Sequence, residues 1–298
     1  MDAEDQPIAA RTDGANLLTE LIAGSVGGAC QVIVGQPLDT LKVRAQTAPP
    51  GTFKNTWDIA RQTAAKEGVW AFYKGMASPL IGIAAVNSLL FAAYGTCKRA
   101  ISPFGELSLP QTALAGMGAG VAQSVLASPV ELGKIRMQAQ YGGKEDKRLV
   151  AVITDLYKRY GLRHGIMRGF WATSARDALA YAGFYTGYEA TKRALTPAGT
   201  KTPSTGVYLA SGAVGGTCYW LACYPLDMVK SRVQLRAEPP RPGLGYIVTE
   251  LSAIVRQGGV AGLFKGIVPT LLRAVPAAAV TFGAFELTKD FIVSNRLI

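Results

Sequence analysis

The sequence is poor in the side chains that most enzymes and metalloproteins depend on. Of 298 residues only His164 is a histidine, and the four cysteines, Cys30, Cys97, Cys218 and Cys223, show no CxxC spacing. A zinc site would lack its usual ligands, and neither a disulfide scaffold nor a histidine-dependent enzyme is expected. No GxSxG or P-loop pattern occurs, so no catalytic group, metal or cofactor is expected and the chain is not read as an enzyme. Charge is also scarce, at 17% of residues against about 25% in soluble domains. The basic residues, 31 against 20 acids for a net charge of +11, form no stripe, which excludes nucleic-acid binding. The opening Met1-Asp2-Ala3-Glu4-Asp5 has neither a basic n-region nor an arginine-rich presequence, so no cleavable address is expected.

Apolar residues, by contrast, are plentiful: 49% of the chain, with a mean hydropathy of +0.19. Residues 21–38, 76–97, 107–130 and 202–226 each run without a charge for about the 18 or more residues that a bilayer core asks of a helix. Residues 170–188 and 267–285 are as long but are interrupted by Arg176-Asp177 and by Arg273. Gln31, Gln36, Asn87 and Gln123 lie within these stretches, which suits a bundle around a wet cavity better than lipid-facing helices. Residues 53–67, 148–160 and 246–257 place apolar side chains at helical spacing among charges and read as amphipathic surface helices.

Self-comparison decides the architecture. Pro37-x-Asp39-x-x-Lys42 recurs as Pro129-x-Glu131-x-x-Lys134 and Pro225-x-Asp227-x-x-Lys230, at offsets of 92 and 96 residues. Gly24/Gly28, Gly116/Gly120 and Gly212/Gly216 precede these elements at matched distances. Tyr73-Lys74-Gly75, Met167-Arg168-Gly169 and Phe264-Lys265-Gly266 follow, and then Tyr94-Gly95-x-x-Lys98, Tyr188-Glu189-x-x-Lys192 and Phe285-Glu286-x-x-Lys289. The expected fold is therefore an all-α membrane protein, a six-helix bundle of three pseudo-threefold repeats over 1–104, 105–200 and 201–298. Proline bends each odd helix. The acid and base then share one face, where Asp39 with Lys134, Glu131 with Lys230 and Asp227 with Lys42 close one mouth of the cavity. Permanent braces are the competing reading, but desolvated ion pairs gain little net stability, so charges kept three times point to a gate.

On these elements the chain resembles the mitochondrial carrier family over nearly its whole length. Gln46, Gln138 and Gln234 match the family's brace positions beside the matrix gate. The resemblance implies a multi-pass exchanger of the mitochondrial inner membrane that alternates between two open states, with cardiolipin at the surface-helix N-termini; a monomer is expected. It also implies a cytoplasmic gate of Lys98, Glu189, Lys192, Glu286 and Lys289. Gly95 replaces an expected acid, so only Glu189–Lys289 and Glu286–Lys98 can form, and Lys192 lacks a partner. Gln257 likewise replaces an acid in the third linker.

A small asymmetric solute needs different groups from each repeat. Thirteen residues before Gly95, Glu189 and Glu286 stand Gly82, Arg176 and Arg273, followed by Ile83, Asp177 and Ala274. That is about 20 Å along the helix, near mid-membrane, where a charge marks function by default. The alternative makes Arg176–Asp177 a self-neutralising pair and lets Arg273 snorkel. A direct Arg176–Asp177 bridge is awkward, however, because adjacent helical residues diverge by about 100°. Arg273 suits a carboxylate, which its planar fork binds at two points, and Asp177 a cationic group, with Tyr181, Tyr185 and Trp220 offering aromatic faces. Trp220 as a packing or interfacial residue remains equally open. The Arg-acid pair resembles the carnitine/acylcarnitine and amino-acid branch, although Gln36 stands where carnitine carriers usually have histidine. A di- or tricarboxylate is the alternative solute.

Overall fold

The computed structural model describes residues 8–49, 51–102, 107–141, 146–197, 203–240 and 243–295. Among the described residues there are helices and turns but no strands. Six helices are long: α1 (Ile8–Thr47), α3 (Ala77–Ile101), α4 (Leu109–Gln138), α6 (Phe170–Leu195), α7 (Thr205–Leu235) and α9 (Ile267–Ser294). Between them, once per repeat, lie the short helices α2 (Thr56–Glu67), α5 (Leu149–Gly161) and α8 (Gly245–Gly258). Only two stretches among the described residues, Val69–Ile101 and Leu109–Gln138, are both long and apolar enough to cross a membrane on composition alone. Charges inside α1, α6 and α9, and the small polar residues of α7, dilute the signal in the rest.

The repeats pack in cyclic order, α3 on α4, α6 on α7 and α9 back on α1. One glycine per repeat makes each junction. Gly75, Gly169 and Gly266 hold φ of 82°, 77° and 88°, a region that an L side chain rarely adopts. A Cβ on Gly75 would lie 2.7 Å from the Lys134 carbonyl of α4, one on Gly169 3.2 Å from Gln234 of α7, and one on Gly266 3.2 Å from the Lys42 carbonyl of α1. Each turn thus seats on the first long helix of the next repeat, α4, α7 or α1.

Pro37, Pro129 and Pro225 lie inside α1, α4 and α7. The residue before each, Gln36, Ser128 or Tyr224, is fully buried. Gln36 Nε2 donates to the Lys74 carbonyl at 2.8 Å, and the Tyr224 hydroxyl donates to the Lys265 carbonyl at 3.3 Å. Both tie the first long helix of a repeat to the turn that starts its second, α1 to the start of α3 and α7 to the start of α9. The short helices dock apolar faces nearby: Ile59 of α2 meets Leu41 and Ala45, and Ile247 and Ile254 of α8 meet Met228, Val229 and Val233.

Burial is inverted relative to a soluble protein. Large apolar side chains are exposed on all six long helices, among them Ile33, Ile81, Leu114, Leu179, Leu221 and Leu272. Lys42, Arg44, Arg176, Asp177, Asp227 and Lys230 are buried, the reverse of the usual distribution.

Candidate solute-binding site

The buried charges converge on a cavity of about 200 Å³ lined by residues of α1, α4, α6, α7 and α9. Lys42 Nζ lies 2.6 Å from Asp227 Oδ2. Lys134 is ion-paired to Asp39 and Lys230 to Glu131. Each pair joins two repeats, and the three close the ring at this depth. Gln46 Nε2 donates to Asp227 Oδ2 at 3.0 Å and accepts from Ser231 Oγ at 2.8 Å, so it supports its pair directly. Gln138 instead donates to Thr40 Oγ1 at 3.2 Å. The Gln234 amide is buried without a hydrogen-bond partner among the described residues, so the three glutamines are not equivalent.

Both mid-helix arginines reach this ring. Arg273 Nε lies 3.2 Å from Asp39 Oδ1, and its Nη1 donates to Oδ2 at 3.3 Å. Arg176 Nη2 lies 3.3 Å from Asp227 Oδ1 and 3.5 Å from Glu131 Oε1, while Nη1 pairs with Asp177. The direct Arg176–Asp177 bridge thus forms, against the expectation from helix geometry: a long arginine folds back far enough to offset the divergence of adjacent Cβ atoms. Asp177 is fully buried and also accepts from Gln123 Nε2 at 3.1 Å. In this state its carboxylate is already paired rather than open to a cationic ligand.

Trp220 stands at the centre of the cations. Lys42 Nζ is 4.1 Å from its ring centroid, and the Arg176 and Arg273 guanidinium carbons are 5.8 and 6.0 Å away. Tyr219 meets Tyr181 edge to face at 5.4 Å. Gln123 and Tyr219, which stand at the same place six residues before a motif proline, take part here, and so does Thr40, which no sequence signal marks. Tyr185 is not free to face a ligand, because it stacks on Tyr94 of α3 at 3.8 Å.

Gly82 and Ile83 do not line this cavity. A Cβ on Gly82 would sit 2.5 Å from Val130 Cγ2, and Ile83 packs over Gly28. Both are helix-packing positions in this state. At the opposite end of the bundle no gate is formed among the described side chains. Glu189 pairs within its own helix, with Lys192 at 2.6 Å and Arg193 at 2.7 Å, so Glu189–Lys289 is absent and Lys192 is held within its helix rather than by another repeat. Lys98 is exposed, and the side chain of Glu286 lies outside the described residues.

A threefold charged ring with two arginines hung on its acids suits solute binding and gating, and comparison with known proteins says which kind. The family model for mitochondrial carrier proteins matches residues 13–104, 105–199 and 201–296. This chain belongs to the mitochondrial carrier family. A mitochondrial carnitine/acylcarnitine carrier of Mus musculus is 35% identical over 91% of this carrier and 93% of its own length. A carnitine/acylcarnitine carrier-like protein of Arabidopsis thaliana is 36% identical over 91% of this carrier and 97% of its own. A mitochondrial glycine transporter of Saccharomyces cerevisiae is 35% identical over 96% and 94%. Members of the family are transporters rather than enzymes, and this carrier is a membrane-integral transporter of small molecules.

Proposed function

We propose that this carrier is a multi-pass antiporter of the mitochondrial inner membrane, a monomer with six spans in the repeats 1–104, 105–200 and 201–298. Its solute is a small metabolite bearing one carboxylate, of the carnitine/acylcarnitine or amino-acid type. The exposed apolar side chains on all six long helices support the spans. The observation that carries the solute reading is that Arg273 and Arg176 rest on the gate acids. A carboxylate that enters from the ungated end and takes Arg273 removes that arginine from Asp39 and so loosens the closed gate through which it would leave. Affinity that differs between the two states is what allows a ligand to drive the swing, and exchange follows when an empty site keeps the gate shut.

Charge favours a single carboxylate. Asp39, Glu131, Asp177 and Asp227 face Lys42, Lys134, Lys230, Arg176 and Arg273, which leaves one positive charge uncompensated. One carboxylate group meets it locally, with the cationic end of a zwitterion held outside the charged ring, whereas a di- or tricarboxylate overshoots. The Trp220 and Tyr219 rings already meet Lys42, Arg176 and Arg273, so the cationic end of the solute lies away from them unless one of these cations moves to the solute carboxylate. Cardiolipin is assigned to a cavity of about 380 Å³ between the starts of α6 and α8, lined by Arg163, His164, Gly169, Trp171 and Tyr246, where helix N-termini attract phosphate.

Proteoliposomes preloaded with carnitine, glycine, a basic amino acid or citrate test the reading. Uptake of a labelled monocarboxylate that requires a preloaded monocarboxylate supports it. Uptake with citrate alone, or uptake into empty vesicles at the same rate, contradicts it.

A further inference from the structure

The three repeats treat one arginine differently. Arg44, Arg136 and Arg232 each stand seven residues past a motif proline. Arg44 is fully buried and closed off by Glu67 of α2, with Nη1 2.5 Å from Oε1 and Nη2 3.0 Å from Oε2, and by Thr63 Oγ1 at 2.8 Å. At the matching place Gln257 accepts from Arg232 at 3.2 Å. In the second repeat that place is taken by Tyr160, just before Gly161. Its neutral ring lies 4.7 Å from the Arg168 guanidinium and supplies no carboxylate.

Two guanidinium groups are left there without an acid. Arg136 Nη2 donates to the Arg236 carbonyl at 2.8 Å, and Arg168 Nη1 donates to the same oxygen at 2.5 Å and to the Ala237 carbonyl at 3.0 Å, while Arg168 Nε donates to the His164 carbonyl at 3.2 Å. Arg136 Nε and Arg168 Nη2 are buried with no hydrogen-bond partner among the described residues. The acids nearby are already used: Asp155 pairs with Lys147 and Glu250 with Arg236. Two like charges meeting at one peptide oxygen, with donors to spare, are costly unless an anion joins them. Beside Arg136 lies a cavity of about 310 Å³, lined also by Lys147, Asp155, Arg159, Tyr160 and Ala237, in which the one carboxylate, Asp155, is neutralised by Lys147. That is room for far more than a water, which takes about 30 Å³. None of the residues lining it lines the gate cavity or the cavity assigned to cardiolipin, although Arg168, which shares the Arg236 carbonyl with Arg136, borders the latter.

We propose that this cavity is a second, non-transported ligand site that binds a phosphate group and so does for the second repeat what Glu67 does for the first. Phosphate oxygens accept several charge-assisted bonds at once and match the guanidinium fork. The group belongs either to a soluble phosphate or to a lipid headgroup. The site goes beyond the transport reading and stands or falls separately from it.

The test is thermal unfolding of the whole carrier in phosphatidylcholine nanodiscs, with inorganic phosphate against chloride at equal ionic strength. Wild type is expected to gain about 3 °C at tenfold excess over the dissociation constant. Tyr160→Glu, which supplies the missing carboxylate, is expected to start higher and lose the response. Arg159→Gln keeps Tyr160 and is expected to weaken phosphate binding at least about threefold. A second arm dopes the nanodiscs with phosphatidic acid. A rise there that removes the phosphate response supports the site with a headgroup as its source, and an undiminished phosphate response supports it with soluble phosphate. The proposal is overturned if wild type responds in neither arm, if Tyr160→Glu responds as wild type does, or if Arg159→Gln binds phosphate unchanged.

Discussion

The Arg273 guanidinium of α9 rests on the Asp39 carboxylate of α1, Nε 3.2 Å from Oδ1, while Lys134 of α4 holds the same carboxylate from the other side. One acid thereby joins three helices, one from each repeat. The group suited to grip a solute carboxylate already grips a gate carboxylate, so solute and gate compete for one cation.

Asp39 should accordingly matter more than either of its bases. Asp39→Asn leaves two partly buried cations unpaired and is predicted to cost about 3 kcal/mol, a drop of about 6 °C or more in melting temperature. Lys134→Gln should cost less than half as much, because Arg273 still holds Asp39. Equal losses in the two variants, measured by thermal unfolding in detergent, would show that Arg273 adds nothing to the closed gate.

Gly82 is predicted to act through packing. Gly82→Ala forces a methyl group to within 2.5 Å of Val130 Cγ2, an overpacking expected to cost about 1–3 kcal/mol. Val130→Ala in the same chain should restore most of the loss in melting temperature. If the double variant is as unstable as Gly82→Ala, the clash is not the cause.

Glu67 gives a pH dependence with a definite sign. Burial alone would raise its pKa, but hydrogen bonds and charge from Arg44 and Lys74 outweigh burial and hold it below the usual 4.5. A carboxyl whose folded pKa is depressed adds stability that is complete above the unfolded value and is lost as pH falls through the folded one. Glu67→Gln should therefore be less stable than wild type at pH 7 by about 2 kcal/mol, and the difference should shrink as pH falls below 4.5 and vanish below the folded pKa. A gap that stays constant down to about pH 3 is incompatible with this linkage.

The threefold plan was legible because it is written three times. A single Pro-x-acid-x-x-base element is weak, but Asp39, Glu131 and Asp227 each have a lysine at the same spacing one repeat away, and the pairing follows from the symmetry. What was not legible depends on how far side chains reach and on where backbones come close. Helix geometry alone separates Arg176 from Asp177, yet the arginine is long enough to fold back and touch both its neighbour and two gate acids. Gly82 shares its depth with Arg176 and Arg273 and so looked like a solute contact, but depth does not say which way a helix face turns. Gln36 stands at a position that suggested solute chemistry, and its amide instead ties α1 to the Lys74 carbonyl. Tyr160 attracts no notice until the repeats are superposed on the cluster of Arg44 and Glu67.

The most direct test is counter-exchange of a monocarboxylate by Arg273→Ala in preloaded proteoliposomes, with melting temperature measured on the same preparation. Two charge-assisted contacts to the solute are removed, so exchange is predicted to fall about 100-fold, with a smaller loss of stability than in Asp39→Asn. Arg273→Lys, which keeps the charge but not the fork, should fall between. Exchange by a folded Arg273→Ala carrier within about threefold of wild type would contradict the claim that this arginine is shared between gate and solute.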